Sequence, residues 1–207
     1  MDRPTIYWLI NGIMNWPGCP GNWNKKGVTW LHLHAYPCAA QTDEYFTTAI
    51  TAPIHAKRRA EDFADLLDQF KEWRQVAIAH SNGTKVLLDA QKISHWVRME
   101  AIHLVSGACD ADFQRNGLNW AVKNERIGDI YYYIAGHDIA MRFEDTMTGK
   151  ALFGLYPKDK PLGLSGPTNV DPMILGRVHP HREPAYGHSD WWLPKNFDLT
   201  MSRFVLC

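Results

Sequence analysis

The sequence carries no excess charge of either sign. Lys and Arg together number 22, Asp and Glu together number 22, and the formal net charge is zero. A chain without a basic excess lacks the broad electrostatic attraction by which many proteins hold nucleic acid or an anionic membrane. We therefore expect no nucleic-acid partner, and the sequence does not specify an oligomeric state.

Long hydrophobic runs and paired cysteines are missing as well. The apolar run at residues 5–13 is too short for a transmembrane helix, and no basic segment of the signal-peptide type precedes it. The four cysteines form neither a CxxC pair nor a zinc-ribbon pattern. These features predict a cytoplasmic protein that does not insert into a membrane and has reduced cysteines.

Hydrophobic residues make up 45% of the 207 residues, enough for the core of a single domain spanning 1–207. Apolar runs alternate with segments of helical periodicity, which favours a doubly wound, mostly parallel α/β sheet with helices on both faces. Strands are predicted at 5–13, 27–36, 75–80, 99–108 and 129–137, with an edge strand near 173–179. Helices are predicted at 53–73, 83–92 and 118–125, with a short helix near the C-terminus. Residues 144–187, rich in Gly, Pro and His, are predicted to form an irregular lid or substrate rim.

The stretch Ala79-His80-Ser81-Asn82-Gly83 joins a predicted strand to a predicted helix. A serine between small residues in this setting is typical of a nucleophile elbow, in which a strained turn lifts the hydroxyl into a cleft. The start of the helix directs main-chain N–H groups to the same place, so the N–H of Asn82 is a candidate oxyanion donor. A turn serine without a catalytic role is the alternative.

A serine nucleophile needs a base and a residue that orients the base. Asp138 follows the strand predicted at 129–137, and His188 lies in a loop near the C-terminus. These positions give the order Ser, Asp, His expected for this kind of sheet. Asp110 follows the preceding strand and is the alternative acid, although we expect it to cap a helix.

These segments resemble the α/β-hydrolase superfamily, in a compact form that lacks the first antiparallel strands. The resemblance runs from about Thr5 to Trp192. It is carried by "LING", "AHSNG", "YYYIAGHD" and "GHSDWW", but no single subfamily matches. It implies a cofactor-free serine hydrolase that acts on a small-molecule acyl substrate, most commonly a carboxylic ester.

The remaining site residues are expected in the loops and turns beside the predicted strands. A second oxyanion donor is expected at the main chain of Gly12 or Ile13. Substrate contacts are expected from Asn11, Trp16, His80 and Trp191, and Trp23 and Trp192 are further candidates for the cleft wall.

Two histidine pairs, His32-x-His34 and His179-x-His181, have a spacing that could bind a metal on a strand. Neither pair has a third ligand at zinc-site spacing, so no metal site is predicted. Two alternatives stay open: a metal-dependent hydrolase that uses these pairs, and a non-catalytic binding protein on a hydrolase scaffold.

Overall fold

The computed structural model describes residues 3–12, 23–34, 38–43, 52–146 and 160–205. Its strands are β1 (Thr5–Ile10), β2 (Cys38–Asp43), β3 (Arg74–His80), β4 (Met99–Val105), β5 (Ile127–Ala135) and β6 (Val178–Glu183). Its α-helices are α1 (Trp23–His34), α2 (Ala52–Gln69), α3 (Gly83–Ile93), α4 (Leu118–Lys123), α5 (Ile139–Glu144), α6 (Leu162–Ser165) and α7 (Pro194–Ser202). Short 3-10 helices cover Pro172–Arg177 and Asp190–Trp192.

The strands form one sheet in the order β2-β1-β3-β4-β5-β6, and every neighbouring pair of strands is parallel. The predicted α/β fold is therefore confirmed. The chain leaves β1 toward β2 on one side and later returns to pair β3 on the other side. Open α/β sheets bind ligands at such a reversal, beyond the carboxyl ends of the strands, which here are the ends of β1 and β3.

Each strand buries alternate side chains on opposite faces of the sheet. On β1, Ile6, Trp8 and Ile10 pack in the core that includes the buried residues of α2 and α3. Tyr7 and Leu9 pack in a second core on the other face, against α1 and the C-terminal helix. The sheet is thus covered on both sides, which explains the near-continuous apolar runs in its strands.

The predicted strand at 27–36 is wrong, because most of it belongs to α1. Trp23, Gly27 and Leu31 are buried at four-residue intervals, which is the period of a helix lying on the sheet. Gly27 lets the helix lie close to β1, because a Cβ atom there would lie 2.4 Å from Leu9 Cδ2 and the Leu9 side chain would have to move. The strand that pairs with β1 begins later, at Cys38.

The segment predicted to be irregular, 144–187, contains regular structure where it is described. Its strand β6 pairs with β5 in register from Ile130 and Val178 onward, a few residues beyond the predicted edge strand. Leu162 and Ile174 from this segment are buried in the core. No described helix is long and apolar enough to cross a membrane.

Candidate active site

Ser81 occupies the turn between β3 and α3 in a left-handed backbone conformation. Its φ is 54°, a value that is costly for a residue with a side chain. The turn is held by its own carbonyl oxygen, which accepts bonds from Thr84 N (3.1 Å), Thr84 Oγ1 (2.7 Å) and Ala108 N (3.2 Å). The strain therefore falls on the predicted nucleophile, as expected for an elbow.

Two glycines make room for this turn. A Cβ atom on Gly83 would lie 2.6 Å from Asn11 O, so only glycine lets α3 begin this close to the end of β1. A Cβ atom on Gly12 would lie 2.8 Å from Ser81 Cβ and 3.2 Å from Ser81 Oγ. Gly12, two residues after the end of β1, thus lies directly against the serine.

Asp138 and His188 form a close pair, although 50 residues separate them. His188 Nδ1 lies 3.0 Å from Asp138 Oδ1 and 2.9 Å from Asp138 Oδ2. Asp138 is fully buried and also caps α5, because its Oδ1 accepts the main-chain N–H of Met141 at 2.9 Å. An ionised Asp138 requires a proton on His188 Nδ1, which leaves Nε2 free to act as a base.

The link between His188 and the serine is looser. The described hydrogen bonds include the His188–Asp138 pair but no bond between Ser81 Oγ and His188 Nε2. Catalytic hydrogen bonds are often long in enzymes without substrate and shorten when substrate binds. The arrangement therefore supplies an oriented imidazole on the edge that carries the strained serine.

His80, predicted to contact substrate, packs mainly against the protein. It is 6% exposed, and its ring lies 4.7 Å from that of His188 and 5.5 Å from that of Trp192. Its Nε2 lies 3.1 Å from the main-chain oxygen of His188. Burial, together with the nearby His188, lowers the pKa of His80 to about 3, so this imidazole is neutral at ordinary pH.

Asn11 is buried beside the elbow, and in the part of the chain that the structure describes only the oxygen of its side-chain amide is hydrogen-bonded. Its Oδ1 accepts hydrogen bonds from the N–H of Gly12 (2.9 Å) and from Nε1 of Trp23 (3.1 Å). Because both partners are donors, the amide atom that they contact must be the oxygen. Its Nδ2 is buried and has no hydrogen-bond partner among the described residues. Because the Gly12 N–H is already bonded to this side chain, it is less available as an oxyanion donor.

The other predicted contacts divide into three groups. Asn82 immediately precedes α3 and is buried. Trp191 is fully buried and donates its Nε1–H to Ser106 Oγ at 3.2 Å, and Trp23 and Trp192 stack at 4.0 Å, so these rings belong to the core. Ile13 and Trp16 lie outside the described residues.

The alternative acid, Asp110, is occupied elsewhere. Its carboxylate pairs with Arg115 and accepts the N–H of Asp112, within turns rather than at the predicted helix start. It makes no described contact with His188.

The histidine pairs do not assemble a metal site. His32 and His34 lie on a helix, not a strand, so their side chains diverge, and both are exposed. On β6, His179 pairs with Asp129 at 2.9 Å and His181 stacks on Tyr133 at 4.7 Å. Within the described ranges, no three His, Cys, Asp or Glu side chains converge as metal ligands.

A cavity of about 260 Å³ lies at the opposite end of the sheet, near the starts of the strands. Charged side chains line it, among them Arg3, Arg74, Arg98 and Glu100. Neither the serine nor the Asp138–His188 pair lines this cavity, so it is separate from the candidate site.

Comparisons with known proteins support the architecture. No protein-family model matches the sequence, and no curated protein does either. Among solved structures, a proposed hydrolase of the α/β superfamily from Xanthomonas campestris is 11% identical, with a TM-score of 0.50 over 98% of this chain and 96% of the other. A lipase-esterase related protein from Clostridium acetobutylicum is 11% identical, with a TM-score of 0.50 over 97% and 94%. The chain has the α/β-hydrolase fold.

An uncharacterised protein from Bacillus cereus is also similar, with 11% identity and a TM-score of 0.58. The alignment covers 98% of this chain and 58% of the Bacillus protein, so the chain spans little more than half of that relative. At identities this low, structural similarity indicates the fold, and the activity has to be argued from the site residues.

Two residues whose contacts stabilise the site were not predicted from the sequence, namely Thr84 and Lys85. Thr84 Oγ1 donates to Ser81 O in the elbow and accepts a hydrogen bond from the N–H of Cys109 at 3.1 Å. A threonine three residues after the serine is the local sequence signal that could have revealed this role. Lys85 Nζ lies 3.0 Å from Glu144 Oε1, and both side chains are largely buried. This ion pair ties α3, which follows the serine, to α5, which begins after Asp138.

Proposed function

We propose that the chain is a serine hydrolase that cleaves a carboxylic ester or a related acyl bond through an acyl-enzyme. The observation that carries the proposal is the left-handed Ser81 on the same sheet edge as the oriented Asp138–His188 pair. The similar structures of a proposed hydrolase and of a lipase-esterase related protein support the same class.

In the proposed reaction, Ser81 Oγ attacks the acyl carbonyl carbon while His188 Nε2 accepts the hydroxyl proton. Collapse of the tetrahedral intermediate breaks the bond to the leaving group, and His188 returns the proton to that group. A water then attacks the acyl-enzyme with the same base, which releases the acid and restores Ser81. Asp138 holds the Nδ1–H of His188 and stabilises the imidazolium that forms in each half.

The oxyanion is assigned to the main-chain N–H of Asn82 and to the residues after β1, where Ile13 stays a predicted donor and the N–H of Gly12 is already bonded to Asn11 Oδ1. Asn11 Nδ2 joins this set, because it is a buried donor beside the nucleophile to which the described part of the chain offers no acceptor. An unpaired buried donor costs roughly 1–3 kcal/mol, and a developing negative charge would satisfy it. In this assignment Asn11 contacts the substrate at its reacting oxygen.

Turnover of chromogenic acyl esters tests the class of reaction. The wild-type protein should hydrolyse at least one member of a panel of short-chain and medium-chain esters, thioesters and lactones. Ser81→Ala and His188→Ala should each lose several orders of magnitude in kcat while staying folded by circular dichroism. Turnover that survives in Ser81→Ala would refute the proposed nucleophile.

A non-catalytic binding protein is the second candidate, favoured by the missing hydrogen bond between Ser81 Oγ and His188. In that case no ester in the panel would be turned over. The metal-dependent alternative predicts instead that dialysis against a strong chelator abolishes turnover and that added metal restores it. We propose a metal-independent reaction in the cytoplasm, so the rate should be unchanged by the chelator.

A further inference from the structure

His80 stands out among the buried titratable groups because it bridges the two halves of the candidate site. It is the last residue of β3 and the covalent neighbour of Ser81. Its ring Nε2 reaches the main-chain oxygen of His188 at 3.1 Å, across 108 residues of sequence. One strand end therefore carries the serine and also contacts the loop that carries the base.

The direction of this hydrogen bond is determined by its partner. A carbonyl oxygen can only accept a hydrogen bond, so the neutral His80 ring must carry its proton on Nε2, and its Nδ1 is unprotonated. Burial lowers the pKa of His80 to about 3, so the ring does not gain a second proton in the range where hydrolases work. The donor is consequently present across that range.

The bond also complements the contact made by Asp138. The carboxylate of Asp138 holds the His188 ring at Nδ1 only, which still permits the ring to pivot about that contact. The contact from His80 fixes the main chain from which the ring extends. The loop is tied further by Gly187 N, which donates to Asp190 Oδ2 at 2.8 Å, but that bond does not involve His188 itself.

We propose that His80 is a positioning residue, which holds the main chain of His188 so that Nε2 of the base faces Ser81. This inference rests on the proposed serine-hydrolase function. The position of His80 next to the nucleophile gives serine and base a common reference, so small movements of the His188 loop relative to Ser81 are suppressed. Because placement of a base relative to its nucleophile governs the chemical step, the effect should fall on kcat rather than on KM.

A pair of substitutions isolates the hydrogen bond. His80→Leu removes the donor, whereas Gln places an amide N–H at the same number of bonds from Cα as Nε2 of histidine. We expect kcat to fall about tenfold in His80→Leu, with KM within about twofold, as suits the loss of one hydrogen bond. His80→Gln should recover most of kcat. His80→Asn, whose amide is one bond shorter, serves as the donor-removed variant if His80→Leu does not fold.

A second readout does not depend on turnover. Nitrogen-15 NMR of the His188 ring, in protein labelled at histidine, reports its tautomer and the Nδ1–H bond to Asp138. In His80→Leu the His188 signals should shift or broaden, and in His80→Gln they should resemble those of the wild type.

The outcomes separate this inference from the proposed function. If Ser81→Ala abolishes turnover while His80→Leu keeps the wild-type kcat, the serine-hydrolase function stands and the positioning role is overturned. The role is overturned equally if His80→Gln is as slow as His80→Leu. If the wild type turns over no substrate, the proposed function fails, and unchanged His188 signals in His80→Leu would then overturn the tie between the two histidines.

Discussion

Acid should destabilise the protein through two histidines that are buried in neutral form. His103 on β4 is 1% exposed, its Nδ1 lies 3.0 Å from Tyr133 Oη, and its ring stacks on Tyr131 at 4.7 Å. Burial lowers the pKa of His103 to about 3, with a smaller contribution from His181, and the pKa of His80 is lowered equally. An unfolded histidine titrates near 6.5, so between pH 6.5 and pH 3 the unfolded chain binds more protons than the folded chain.

The magnitude follows from the two pKa values. Stability from each histidine is fully present above pH 6.5 and is lost as the pH falls toward 3. At pH 5, about 1.5 units below the pKa of an unfolded histidine, protonation stabilises the unfolded chain but not the folded one. The resulting loss of folding free energy is about 2 kcal/mol for each histidine. The two together give about 4 kcal/mol, a large share of the 5–15 kcal/mol typical of a domain.

Urea denaturation at pH 8 and pH 5 measures this loss. His103→Phe should reduce the difference in unfolding free energy between the two pH values by about 2 kcal/mol. The comparison uses the difference in unfolding free energy between the two pH values, because His103→Phe also removes the hydrogen-bond partner of the Tyr133 hydroxyl at both. His80→Gln should give a similar reduction, and the double variant should give roughly the sum. If His103→Phe and wild type lose the same free energy between pH 8 and pH 5, the buried-neutral account of His103 is refuted.

Three further predictions concern the site and its surroundings. Gly12→Ala should slow turnover at least tenfold, because its methyl group would lie 2.8 Å from Ser81 Cβ, whereas the control Gly176→Ala, with open space at Cβ, should match wild type in turnover and melting temperature. Asp138→Asn should lower kcat by roughly 10⁴-fold, as in the serine-protease precedent, and Asp110→Asn should stay within about twofold; the reverse result would move the acid to Asp110. Cys109 should resist a thiol reagent at pH 8 in native protein and react once urea unfolds it, because burial raises the pKa of its thiol to about 12.

The elbow was predictable because its signal is local. An apolar strand, a serine between small residues and a helical period occur within about twenty residues, and Ser81 and Gly83 lie where that pattern puts them. The left-handed residue is the serine itself, as the elbow pattern predicts, and Gly83 is required for its small size. The close approach of Gly83 to the end of β1 is a tertiary contact that the local sequence does not show.

The region of α1 was mispredicted for the opposite reason. "GVTWLHLHAY" is rich in residues that favour strands, yet packing of Gly27 and Leu31 against the sheet stabilises a helix there. Tertiary contacts commonly override such intrinsic preferences. The link between His80 and His188 escaped prediction because it spans 108 residues, and no spacing or period in the chain encodes a contact of that range.

Labelling with a fluorophosphonate probe tests the central claim most directly, since the probe reacts covalently with a serine only when base and oxyanion donors activate it. We predict one adduct per chain, located by mass spectrometry on the peptide that contains Ser81. The adduct should be absent in Ser81→Ala and strongly slowed in His188→Ala. Labelling that persists undiminished in Ser81→Ala, or no labelling of folded wild-type protein, would contradict the assignment of Ser81 as an activated nucleophile.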